Sequence, residues 1–305
     1  MGRLVMMKTR ISQIRESRWG GALGAAGLSL LLALILTWPV ALHPSTILVG
    51  HPGNDTWNHV WGYWWVSESL EAGNWPGHTS LLSFPRGGTL YFIDTVQVIL
   101  SYPLVRLWGP SVAFNFVLIM GLTLSGFGAW LLARHVTGDG VAAVLALVLY
   151  GASPHLLGQA YNGISETVCA GWLPLTFFFL IRLMEAPNWS RSVALGLTAG
   201  LCMLTSWYYG LFAALGGLVL LSWYGARQPY VVHWRKFLPR GLVSFLLAGS
   251  MVWPAFRAFQ SSLGAEDALV SRDPEFVEAS LLNHNITDIL AFVRPSKIAS
   301  PDLFA

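Results

Sequence analysis

The 305 residues are 54% hydrophobic and only 11% charged, and 15 of them are tryptophan. That balance excludes a soluble globular domain and implies several membrane-spanning segments. The net charge of +3 is too small to argue for a nucleic-acid partner, and the two cysteines, Cys169 and Cys202, fall in apolar runs and read as small core residues, not as a disulfide framework.

Residues 1–19 carry Arg3, Lys8, Arg10, Arg15 and Arg18 ahead of an uncharged run at 20–42. The run is long enough to cross a bilayer, and the basic flank predicts a cytoplasmic N-terminus. The apolar run exceeds a usual signal-peptide core and lacks a small-x-small cleavage site. Residues 45–110 then form a polar, aromatic, Gly- and Pro-rich external loop. It opens on GHPGNDTWNHVWGYWW (50–65), where helical spacing puts Asp55 and His59 one turn apart on one face. An aromatic belt with one solvated aspartate would account for the tryptophans, though not for so many polar groups among them. Residues 95–108 are apolar but short and carry Arg106, so they read as an interfacial helix.

Six further spans are expected at 111–132, 141–152, 167–181, 193–207, 210–224 and 241–256. The fold expected is therefore all-α: a polytopic transmembrane bundle of about seven spans occupying residues 20–258, with a large first external loop carrying interfacial helices. Residues 259–305 form a last external loop. This topology puts twelve Lys and Arg on the cytoplasmic side and six outside, spread over longer loops.

The external segments hold the candidate chemistry. Glu166 sits directly before an apolar span, where a carboxylate is costly unless it meets water or a partner. Equally, it suits the first turn of a helix, with Ser165 as its cap. His155 lies in the same loop, 153–166, and reads as an interfacial histidine; no spacing marks a zinc site. Arg257, Arg272, Arg294 and Lys297 lie outside against the charge bias. Each is either a snorkelling anchor or a binder of phosphate.

Taken together, GNDTWNHVWGYWW, FPRGGTLYFIDTVQVILSYPLVRLWGPSVAFN (84–115) and TDILAFVRPS (287–296) resemble the GT-C class of integral membrane glycosyltransferases. This class includes oligosaccharyltransferases, protein O-mannosyltransferases and aminoarabinose transferases. The resemblance implies an inverting transfer of a sugar from a polyprenyl-phosphate donor at the outer face of a bacterial inner membrane. It implies Asp55 as general base and Asp94 as a second acidic group. Glu166, His59 and His155 become candidates for positioning the acceptor or a metal, and Arg257, Arg272, Arg294 and Lys297 candidates for the donor phosphate. Some members use a divalent metal and others none, and one carboxylate beside Asn54 leaves this open. Members usually have more spans and about twice this length, so the resemblance also implies a truncated member ending inside an external loop. Two other readings stay open: a noncatalytic membrane scaffold or lipid-binding protein, and a transporter or flippase. Transporters tend to carry ionisable residues and broken helices within their spans, whereas here the span centres are almost free of charge.

Overall fold

The computed structural model describes residues 21–90, 94–227, 233–263, 265–269, 274, 275, 278 and 279. The chain is almost entirely helical. Helix α1 (Gly21–Leu36) ends ahead of Pro39, and a single 3₁₀ turn (Val40–Leu42) follows. The first loop contains α2 (Thr56–Glu71), a small antiparallel pair, β1 (His78–Thr79) with β2 (Gly88–Thr89), and α3 (Thr95–Trp108). Then come α4 (Pro110–Thr137), α5 (Gly140–Gly151), α6 (Pro154–Asn162), α7 (Ser165–Val168), α8 (Trp172–Glu185), α9 (Trp189–Thr205), α10 (Trp207–Arg227) and α11 (Trp234–Leu263).

Five stretches are long and apolar enough to cross a membrane: Pro110–Thr137, Gly140–Asn162, Ser165–Glu185, Trp207–Ala226 and Trp234–Leu263. They mark an integral membrane protein. Helix α1 is shorter, and α9 has 17 residues. The expectation of a loop at 153–166 is corrected. Pro154 at the first helical position, with the Ser153 hydroxyl capping Leu156 N, starts α6 there, and α7 follows directly. Gly138, at φ 69° after α4, lets the chain turn sharply into α5.

Helix packing uses small residues where backbones come close, as expected where water cannot drive association. Gly126 and Gly151 bring α4 and α5 together: a Cβ on Gly151 would lie 3.1 Å from Gly126 Cα. Gly196 and Gly200 do the same between α9 and α11, against Ser244, Leu247 and Met251. Between those helices, Ser244 donates to Ser192 O at 2.8 Å. The main core is built on Phe114, Leu118 and Leu122 of α4, with Tyr63 of α2 edge-on to Phe114 at 6.0 Å.

One tie holds the first loop to this bundle and another braces the loop internally. Asn115, fully buried in α4, donates from Nδ2 to Pro44 O (2.8 Å) and Ile47 O (2.7 Å), and its Oδ1 accepts from Val49 N (2.9 Å). One side chain thereby satisfies three backbone groups of a segment with no regular structure to do so. On the far side, Arg106 of α3 grips Glu71 at the end of α2 through both carboxylate oxygens. The chain after α11 returns to the same loop. Thr89 N donates to Asp267 O (3.0 Å), Leu269 N donates to Thr89 O (3.0 Å), and Thr89 Oγ1 donates to Asp267 Oδ1 (2.8 Å). His78 meets Asp267 at 3.2 Å. The first loop and the segment after α11 therefore share one end of the molecule.

Candidate functional site

Three elements of different sequence origin converge beneath the start of α2. His59 sits one turn into α2, Asp94 immediately precedes α3, and Ser165 and Glu166 open α7. The approach of α7 to α2 depends on Gly163. At φ 74°, it turns the chain out of α6, and a Cβ there would come 2.1 Å from Thr56 Oγ1 and 2.7 Å from Thr56 Cα. Next to it, Asn54 Nδ2 donates to Asn162 Oδ1 at 2.8 Å, which pins the loop before α2 to the end of α6.

His59 lies between two carboxylates. Its Nδ1 is 3.2 Å from Asp94 Oδ2, and its Nε2 is 3.5 Å from Glu166 Oε2. Asp94 is 5% exposed, and Ser165 Oγ also donates to its Oδ2 at 2.7 Å. Burial alone would keep His59 neutral. The Asp94 hydrogen bond and the negative charges of Asp94, Glu166 and Asp55 outweigh it, so His59 holds its proton to higher pH than usual. Asp94 responds in the opposite sense. Burial would raise its pKa, but the His59 hydrogen bond and charge, with the Ser165 hydroxyl, hold it below the usual carboxylate range. The pair is an imidazolium–carboxylate contact.

Although Ser165, His59 and Asp94 meet, they do not form a nucleophilic triad. Ser165 Oγ lies 3.3 Å from Nδ1, the same ring nitrogen that faces Asp94. A serine nucleophile needs its base at one nitrogen and the orienting carboxylate at the other. Here the serine proton goes to Asp94, so Ser165 secures the carboxylate. Nor is Ser165 the expected cap: Ile164 holds the N-cap position of α7, Ser165 is its first helical residue, and the Ser165 hydroxyl goes to Asp94.

Two further groups line the cluster that sequence spacing did not single out. Tyr63, one turn after His59, is 1% exposed, and burial plus the Asp94 charge raise its pKa well above the usual phenol value against the opposing pull of the Ser165 hydroxyl beside it. Gln97, one turn after Asp94, is 4% exposed and faces the buried Cys169 thiol, with no oxygen or nitrogen partner among the described residues. Their signal was the helical spacing from residues already suspected, four from His59 and three from Asp94.

His59, Asp94 and Glu166 each offer a ligand atom, all within 4.8 Å of one another. One imidazole with two carboxylates suits a divalent transition metal. The spacing is somewhat wider than the roughly 3.4 Å between donors on a tetrahedral ion with ~2.1 Å bonds. The donor set has the chemistry of such a site, and a cation there would bind one nitrogen of the neutral ring and so displace the His59 proton.

Asp55 stands at the rim. It is exposed at the start of α2 and accepts from Asn58 Nδ2 at 3.2 Å, while its charge reaches inward to His59. His155 is exposed on α6 and takes no part in the cluster. Arg257 is exposed near the end of α11, its guanidinium 5.8 Å from the Trp253 ring centre, with no contact to the cluster. Arg272, Arg294 and Lys297 lie outside the described residues. Sequence reading thus named the histidine and three carboxylates of this site, and the structure unites Asp94, His59 and Glu166 while leaving His155 and Arg257 apart.

No family model, no curated protein and no solved structure matches this chain. Its function rests on the site itself.

Proposed function

We propose that this chain is a membrane glycosyltransferase. It moves a sugar from a polyprenyl-phosphate donor to an acceptor hydroxyl at the outer membrane face, with Asp55 as general base. The observation that carries the reading is the relation of Asp55 to the cluster behind it. An exposed carboxylate heads α2, and that helix is fixed from below by His59, Asp94, Ser165 and Glu166. A base acts only where its geometry is held, and the buried ion pair holds this one. In the reaction, the acceptor oxygen bonds to the anomeric carbon, the bond from that carbon to the phosphate oxygen breaks, and the acceptor's proton passes to Asp55. Arg257, Arg272, Arg294 and Lys297 are the proposed contacts for the departing phosphate, and a divalent ion at His59, Asp94 and Glu166 would offset its charge.

Counting α1 and α9 with the five long apolar stretches gives seven spans. On this proposed topology the basic N-terminus lies in the cytoplasm of a bacterial cell and the first loop outside its inner membrane, in keeping with the positive-inside bias. The return of the chain after α11 to β2 supports the two segments sharing a side.

Asp55→Asn is expected to reduce transfer of labelled sugar by ~10²–10⁴-fold in membranes containing the inserted protein, the usual cost of losing a general base. Undiminished transfer would remove the proposal. Chelation followed by Mn²⁺ or Mg²⁺ addition, on the same membranes, tests the metal.

One observation favours a second reading, a transporter. The stretch Ser165–Glu185 is broken at residues 169–171, and Glu166 lies beside His59 at its start. A discontinuous helix with an ionisable pair is the pattern of a coupled substrate site. Proton-dependent uptake into vesicles that Glu166→Gln abolishes and Asp55→Asn spares would establish it over the transferase.

A further inference from the structure

At the opposite end of the Ser165–Glu185 stretch from Glu166 lies a cleft of about 770 Å³. The ends of α4 and α8 and the starts of α1 and α9 enclose it. Its apolar lining is Trp130, Leu131 and Phe178, and Arg134, Arg182 and Arg191 also line it. Against these three cations stands one carboxylate among the lining residues, Glu185, which His135 already engages at 2.8 Å. The lining is therefore positive at neutral pH.

Part of this charge has a local use. Arg134 donates from one nitrogen to Gly138 O, and Arg191 donates from one nitrogen to Arg182 O at 3.0 Å and to Ala186 O. These bonds satisfy carbonyls at helix ends. A guanidinium has five N–H donors, so capping from one nitrogen leaves the rest of the fork for another acceptor. Arg182 is oriented differently, with its guanidinium 5.3 Å from the Phe178 ring centre. Capping accounts for Arg134 and Arg191 singly, and the contact with Phe178 for Arg182. Neither explains why three converge on an open cleft with an aromatic and aliphatic wall.

We propose that this cleft binds the phosphate group of an anionic membrane lipid, with Arg134, Arg182 and Arg191 around the phosphate and Trp130, Leu131 and Phe178 against its glycerol and upper acyl chain. Planar guanidinium groups match phosphate oxygens two at a time, and basic pockets between spanning helices are a known way of holding lipid headgroups. The apolar wall selects a lipid over a soluble phosphate, because inorganic phosphate would leave that wall against water. This site is independent of the transferase reading, since it lies at the other end of the bundle and uses none of the same residues.

The test is native mass spectrometry of the full chain released from nanodiscs containing equal phosphatidylglycerol and phosphatidylcholine. Retained phosphatidylglycerol should dominate, and Arg182→Gln should weaken it roughly fivefold, as expected for one basic residue near an anionic headgroup. Because replacing Arg134 or Arg191 also frees helix-end carbonyls, Glu185→Gln is the second variant. It removes the opposing charge without touching a cap and should strengthen retention by a similar factor. Equal retention of both lipids, or phosphatidylglycerol retention unchanged in both variants, overturns the proposal. So does thermal protection by millimolar inorganic phosphate in neutral nanodiscs without any preference for phosphatidylglycerol, which would assign the same chemistry to a soluble ligand.

Discussion

At the scale of single residues, His59 shows how a buried imidazole can stay charged. It is 16% exposed at the side chain, which would ordinarily favour the neutral ring, yet three carboxylates surround it. The pH consequence follows from the two shifts. His59 is raised in the folded protein, so its stabilisation is complete below the unfolded value of ~6.5 and fades as pH rises through the folded value. Asp94 is lowered, so its stabilisation is present above ~3.9 and fades as pH falls through its folded value. The pair should therefore contribute most between about pH 4 and 6.5. Thermal unfolding of wild type and His59→Gln in one detergent should differ most near pH 6, and the gap should narrow toward pH 9. A gap that widens with pH would mean that His59 is neutral in the fold. Asp94→Asn should be more damaging than His59→Gln, because it leaves the imidazole beside Glu166 without its hydrogen-bonded carboxylate, and breaking a buried pair costs about 3–5 kcal/mol.

At the scale of elements, the site exists because a glycine lets two helices touch. Gly163 is the point at which α6 turns into α7, and it does so against Thr56. Gly163→Ala should cost about 1–2 kcal/mol for the left-handed backbone and a further 1–3 kcal/mol for crowding. Thr56→Ala should not restore it, since Thr56 Cα would still lie 2.7 Å from the new methyl. A neutral Gly163→Ala, by thermal unfolding, would show that α7 is not held by this contact. This region also marks where sequence reading stopped. Five of the seven expected spans were legible because long uncharged runs have few other uses, and the one-turn spacing of Asp55 and His59 was legible from helical periodicity. The stretch 153–166 read as a loop because its polar residues, Ser153, His155, Gln159, Asn162 and Ser165, dilute the apolar pattern. What makes it helical is local, the Ser153 cap and Pro154, and what makes it functional is the distant partner Asp94, 71 residues from Ser165. Nothing in spacing along the chain reports that pairing. Arg257 shows the reverse. Its position against the charge bias suggested phosphate binding, but in the described residues it stacks near Trp253 on its own helix.

For the whole molecule, the decisive structural feature is the closure of the first loop by the chain that follows α11. Thr89 is bonded on one edge to β1 and on the other to the segment 267–269, and His78 and Thr89 both engage Asp267. A membrane cannot lie between two strands that exchange backbone hydrogen bonds, so both segments must face the same aqueous phase. The Arg134, His135, Glu185 and Arg191 end should face the other, because Glu166 and Glu185 bound one apolar stretch long enough to cross. Single cysteines at Ser80, Ser261 and Asp139, all exposed, test this in intact cells once both native cysteines, which are buried, are replaced by serine or alanine. An impermeant maleimide should label Ser80→Cys and Ser261→Cys alike, and Asp139→Cys only after the membrane is opened. The proposed orientation adds that the first two react from outside, in keeping with the basic N-terminus. Labelling of Asp139→Cys together with Ser80→Cys in sealed cells would break the topology. Opposite labelling of Ser80→Cys and Ser261→Cys would contradict the hydrogen bonds at Thr89 themselves. If the pattern is instead inverted as a whole, the fold stands, and what fails is the placement of the Asp55 rim at the face where polyprenyl-phosphate sugars are presented.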